Sequence, residues 1–136
     1  MLKKIIPYTN YIDGSEITED FYFNLNKAEI MKMQVTMPGG LSEHLKRIVA
    51  AQDYPTIYET FEKIVLDAYG VKSPDGKRFM KNDPITGRKL CLDFKETEAF
   101  SNLVVELATD SKAATDFING IIPADMSKQI EAAKNN

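Results

Sequence analysis

Pro55-Thr56-Ile57-Tyr58-Glu59-Thr60-Phe61-Glu62-Lys63-Ile64-Val65-Leu66-Asp67-Ala68-Tyr69-Gly70 is the stretch that decides the fold class. Ile57, Phe61, Ile64, Val65 and Ala68 recur at three- and four-residue spacing, which places them on one helical face. Pro55 stands where a first helical residue is expected, because its ring pre-sets φ and its missing N–H would be unpaired there anyway. Gly70 follows the last turn, in the place of a left-handed terminating residue. The stretch predicts an amphipathic helix.

Upstream, Leu41, Leu45, Ile48 and Val49 predict a second apolar helical stripe. Asn26, with Glu29 three residues later, has the spacing of a capping box. It opens a short helix through Val35 that Pro38-Gly39-Gly40 closes. Before it, Asp13-Gly14 predicts the two-residue turn of a β-hairpin. That turn sets Tyr8 opposite Glu19 and Ile6 opposite Phe21, so that Ile6, Tyr8, Ile17 and Phe21 share a face. Pro7 cannot donate to a ladder, which places the first strand at a sheet edge.

Downstream, Pro74-Asp75-Gly76, Asn82-Asp83-Pro84 and Thr86-Gly87 are turn signals. Leu90, Leu92 and Phe94 alternate with polar neighbours, as in a short strand. Phe100, Leu103, Val104 and Leu107 then face one side of a helix from about Glu96 to Ala108. Asp110 or Ser111 caps another through Ile118, ended by Asn119-Gly120, and Pro123 opens a last amphipathic turn or two. The expected fold is mainly α with an N-terminal β-hairpin, an α+β domain of five to six helices spanning 1–136. Its parts are a hairpin (1–24), helices (25–70), a basic loop (71–95), further helices (96–130) and a frayed tail (131–136).

With 136 residues, 43% hydrophobic and 27% charged, the chain can bury roughly two-thirds of its unfolded surface without metal or disulfide. Cys91 is the only cysteine, so no internal disulfide forms and a reducing compartment is expected. The start, Met1 to Pro7, lacks the apolar stretch of a signal peptide. No apolar run approaches the roughly 20 residues needed to cross a bilayer. Both point to the cytoplasm. The net charge is -3, but seven basic residues (Lys72, Lys77, Arg78, Lys81, Arg88, Lys89, Lys95) face three acidic ones between positions 72 and 95. That segment is +4 and the remainder therefore -7, a basic loop on an acidic body that can steer a partner.

Catalytic templates fail on inspection. His44 is the only histidine, so one His and one Cys cannot assemble a zinc site, and its place at the flank of the second helix's stripe fits a partly exposed surface residue. Gly70 to Arg78 has five residues between its glycines, follows a helix, and lacks Ser or Thr after Lys77, so it is no phosphate loop. Glu96 and Glu98 at a helix opening complement its dipole. No catalytic, cofactor or metal residue is expected. Met31, Met33 and Met37 cluster where either core filling or a pliable partner surface would use thioethers. Together with Lys77, Arg78, Arg88 and Lys89, they form the candidate partner-binding set.

A succession of segments carries a family resemblance. Thr18-Glu19-Asp20-Phe21-Tyr22-Phe23-Asn24-Leu25-Asn26-Lys27-Ala28-Glu29-Ile30 comes first, then Gly39-Gly40-Leu41 and Ile48-Val49-Ala50-Ala51-Gln52-Asp53. Ala68-Tyr69-Gly70-Val71-Lys72-Ser73-Pro74-Asp75-Gly76-Lys77-Arg78-Phe79 follows. Thr97-Glu98-Ala99-Phe100-Ser101, Glu106-Leu107-Ala108-Thr109-Asp110 and Phe117-Ile118-Asn119-Gly120-Ile121-Ile122-Pro123 complete the series. In this order they resemble the tail assembly chaperones encoded by siphophages and prophages. The stretch from Asn82 to Cys91 is longer and more basic than that pattern.

The resemblance implies an assembly factor of the host cytoplasm that is absent from the mature virion. It implies binding to the tape measure protein, which such chaperones keep soluble, and recruitment of tail tube protein around it. A frameshifted longer form of the chain and a homo-oligomer are further candidate partners, with no membrane and no nucleic acid. Codons GCA, AAA and AAC at Ala133, Lys134 and Asn135 would spell a slippery heptamer for such a frameshift. The alternative reading is a tail or head–tail structural protein retained in the virion. A nucleic-acid binder ranks behind both, because Phe79 and Phe94 are too few rings for a stacking platform.

Overall fold

A computed structural model describes residues 1–37 and 39–123. Two long strands open the chain, β1 (Leu2–Thr9) and β2 (Glu16–Phe23). Three helices follow, α1 (Lys27–Thr36), α2 (Gly40–Ala50) and α3 (Tyr54–Ala68). Next come two short strands, β3 (Tyr69–Lys72) and β4 (Phe79–Met80), then α4 (Cys91–Lys95), α5 (Glu98–Thr109) and α6 (Ser111–Ile121). The strands form one antiparallel sheet in the order β1-β2-β3-β4. β1 lies at its edge, as Pro7 requires. The α+β class with an N-terminal hairpin and six helices among the described residues is what the sequence predicts.

The hairpin turn differs from the prediction. Tyr8 pairs with Ile17 and Ile6 with Glu19, two residues away from the expected register. The connection is a wider loop in which Asn10 N–H donates to Ser15 O and Gly14 N–H to Asn10 O, each at 2.8 Å. Of the Asp13-Gly14 pair only Gly14 takes a positive φ, so a type I′ turn, which needs both, cannot form. A shift of two leaves every side chain on its predicted face, where a shift of one would have inverted them. Ile6 and Phe21 are buried and Tyr8 and Ile17 half-buried on the shared face.

α1 begins at the predicted capping box. Asn26 Oδ1 accepts from Glu29 N–H at 2.9 Å, and Glu29 Oε1 accepts from Asn26 N–H at 3.0 Å. α3 starts where Asp53 accepts from Thr56 N–H, with Pro55 in the first turn. Ile57, Phe61, Ile64, Val65 and Ala68 are all buried. The α5 stripe Phe100, Leu103, Val104 and Leu107 is buried too, and Asp110 caps α6.

Two glycines do not act as helix terminators. Gly70 lies in β3 opposite Tyr22, with no positive φ. A Cβ there would sit 2.5 Å from the Phe79 ring and 2.8 Å from the Met80 carbonyl, so the residue serves close packing between β3 and β4. α6 runs through Asn119 and Gly120 to Ile121; a Cβ on Gly120 would meet Leu2 at 2.9 Å. The helix continues because its absent side chain lets it lie on β1. The predicted turn after Pro123 and the tail 131–136 fall outside the described residues.

The segment from 71 to 95 is built rather than a loop. β3 and β4 make a small hairpin, Asn82 bridges Lys89, and the expected strand over 90–94 is helix α4. Leu92 is exposed and Phe94 buried. Phe94 stacks on Tyr69 with centroids 4.4 Å apart and meets Phe21, Phe23 and Phe100 at 5.1, 5.9 and 5.8 Å. One short helix thus joins the sheet to α5 through a single ring.

Candidate partner-binding groove

The core contact order follows the chain: α1 packs on α2, α2 on α3, α3 on α5, and α5 on α6. Buried Ile57 and Phe61 of α3 and Leu107 of α5 floor an open groove of about 1140 Å³. Leu45 and Val49 of α2 rise on one side, and Ile118 with Ile122 on the other. The sequence places Val49 in the apolar stripe of the second helix; the structure leaves it 57% exposed, in the groove wall. Tyr54, 60% exposed, adds a ring at the start of α3.

The α2–α3 turn fixes the angle between wall and floor. Ala51 N–H still donates to Arg47 O, and Gln52 then takes φ 54. It is the one non-glycine residue in the left-handed region among the described residues, a conformation that costs about 1–2 kcal/mol. Asp53 caps the next helix immediately, so the reversal is completed within a few residues. Glu43 and Lys46, 3.7 Å apart, supply charge on α2 beside the apolar lining.

The predicted partner-binding residues do not converge. Met33 is buried and lines the groove. Met37 is half-buried against the core, and Met31 is exposed on α1. Lys77 and Arg78 sit at the tip between β3 and β4, whereas Arg88 and Lys89 close the next turn. All four are exposed, and Arg88 pairs with Asp93 at 3.2 Å.

Two other cations of that segment have structural partners. Lys72 Nζ lies 4.1 Å over the Tyr22 ring. Lys81 is drawn inward, where its Nζ donates to Asn24 O at 2.9 Å, to Asp67 O, and to Glu29 Oε2 at 3.4 Å. Burial pushes its pKa down, against the opposing pull of Glu29 and Asp67. It caps the end of α3, whose last carbonyls lack helical partners. His44 is half-buried on α2.

The tight turns carry their own acceptors. Asp83 takes N–H bonds from Thr86 and Ile85 at 3.0 and 2.8 Å, which holds its carboxyl below the usual range. Asp75 accepts from Ser73 Oγ and Lys77 N–H and is lowered likewise. Among the described residues, no group of His, Cys, Asp and Glu side chains is arranged to hold a metal ion. No helix there is long and apolar enough to cross a membrane.

The whole sequence, residues 1–136, matches the family model described as phage tail assembly chaperone. The chain belongs to the phage tail assembly chaperone family. Among curated proteins and among solved structures nothing matches it. A tail assembly chaperone acts by assembly rather than by catalysis, so the surface of this family member is to be read for contacts with other phage tail proteins. The sequence shows Leu45 and Val49 as members of one apolar stripe and does not show that they line an open groove. The legible signal was width: α2 offers Leu41, Leu45, Ile48 and Val49, and α6 offers Ala114, Phe117, Ile118 and Ile121, more apolar surface than one facing helix can cover.

Proposed function

We propose that this chaperone holds helical segments of the tape measure protein in the groove between α2 and α6 and recruits tail tube protein around them, in the host cytoplasm and outside the finished virion. The groove carries this reading. It is open, apolar along its floor and walls, and built from helices, as a surface for the apolar face of an amphipathic helix must be. Met33 in its lining adds a thioether that adapts to irregular partner surfaces.

Lys77, Arg78, Arg88 and Lys89 extend the partner surface beyond the groove as a charged rim that sets approach and register. Exposed charges contribute little to stability. Reversing all four to Glu is therefore expected to leave the unfolding midpoint nearly unchanged and to weaken co-purification with tape measure or tube protein most strongly at low salt. Equal capture at low salt would leave these residues a solvated face. Mass spectrometry of purified virions separates the assembly role from the alternative of a retained tail or head–tail component. The chain is expected to be missing from the particle, and stoichiometric presence would overturn the assembly reading.

A further inference from the structure

The two walls of the groove differ in chemistry. Along α6 and its C-cap, Ala114, Ile118 and Ile122 recur every fourth residue, and Ser111, Thr115 and Asn119 form a second column beside them. These three polar residues are exposed and line the groove. Thr115 Oγ1 donates to Ser111 O at 2.9 Å, so its proton is committed and its oxygen remains as an acceptor. Ser111 and Asn119 make no side-chain hydrogen bond to another described residue. Glu43 and Lys46 of α2, the two charged residues of the described lining, lie 3.7 Å apart and pair with each other.

Charge and hydrogen bonding together define what such a groove accepts. A charged flank on a docked helix would give up water and find no unpaired opposite charge. A carboxylate would also meet the Thr115 oxygen, which has no proton to offer. An apolar flank would cover Ser111, Thr115 and Asn119 and leave them without water or partner, the costly side of a hydrogen bond. We propose that the groove selects an uncharged amphipathic helix. Its apolar ridge lies on the floor, and its flank toward α6 carries Gln, Asn, Ser or Thr at three- and four-residue spacing, matched to Ser111, Thr115 and Asn119. The inference rests on the reading of the groove as the tape measure site and names the kind of helix that site takes. Charge then acts outside the groove, at the Lys77–Arg78 and Arg88–Lys89 turns, and docking in the groove itself is insensitive to salt.

The test uses the full chain and four synthetic helices that share one apolar ridge and differ in the flanking column, which is Gln, Ala, Glu or Lys. In calorimetric titration the Gln helix is expected to bind on the order of tenfold more tightly than each of the others. Its affinity should hold when salt is raised on the order of tenfold. In Ser111→Ala/Thr115→Val/Asn119→Leu, all at exposed positions, the preference for Gln over Ala should disappear. A charged helix that binds as tightly as the Gln helix, or a Gln preference that survives the triple substitution, would overturn the proposal. Four helices that bind alike, and all weaken in Val49→Lys/Tyr54→Lys, would overturn the selection while upholding the groove as a helix site. Binding by none of the four would overturn both.

Discussion

Phe94 shows how much can rest on one side chain. It is buried among Tyr69, Phe21, Phe23 and Phe100, so its removal would leave a cavity lined by four rings. Phe94→Ala is expected to cost about 3–5 kcal/mol in a denaturant titration. A loss under about 1 kcal/mol would mean that the ring is not the junction between sheet and helices. Lys81 is a second such point, but polar. Replacing it by Met would strand the Asn24 and Asp67 carbonyls and remove the cation beside Glu29 Oε2, at a cost of about 1–3 kcal/mol. Unchanged stability in Lys81→Met would show that water serves those carbonyls equally well. Neither role was legible in the sequence. Phe94 reads as one member of a two-residue alternation and Lys81 as one charge among seven, because period and composition do not encode which turn brings a residue inward.

At the scale of elements, legibility follows the range of the cause. The α3 stripe, the Asn26–Glu29 box and the α5 stripe are fixed by residues three and four apart, and all three stand as predicted. The hairpin's face was legible while its register was not, since Tyr8 can oppose Ile17 or Glu19 without changing sides. Gly70 and Gly120 are long-range cases: Phe79 and Leu2 decide their roles. The 82–89 turn is held locally by Asp83, and its pH response has a definite sign. Hydrogen bonds from Thr86 and Ile85 lower the Asp83 pKa, so folding gains from the ionised carboxylate. That contribution is complete above the ordinary value of 3.8 and is lost as pH falls through the lowered folded value. The Ile85 and Thr86 amide shifts should titrate together below the ordinary carboxylate range. If they move at or above it, the carboxylate is not their acceptor.

At the scale of the whole molecule, the described residues divide their work between a sheet that anchors one side of the helices and a helical face that none of them covers. The candidate site was the least legible part of the sequence. An apolar stripe on α2 or α6 looks the same whether a neighbouring helix of the same chain or a partner covers it, and only the packing order distinguishes them. Val49 and Tyr54 make the distinction testable, because both are exposed and line the groove, so charging them should not unfold the protein. The decisive measurement is calorimetric titration of a purified tape measure helical segment into the wild-type chain and into Val49→Lys/Tyr54→Lys, with thermal unfolding of both as control. Loss of two apolar contacts and burial of two charges are expected to weaken binding at least on the order of a hundredfold, about 2.7 kcal/mol, while the unfolding midpoint stays nearly constant. Equal affinities for the two proteins, with both fully folded, would contradict the groove as the site where the tape measure protein is held.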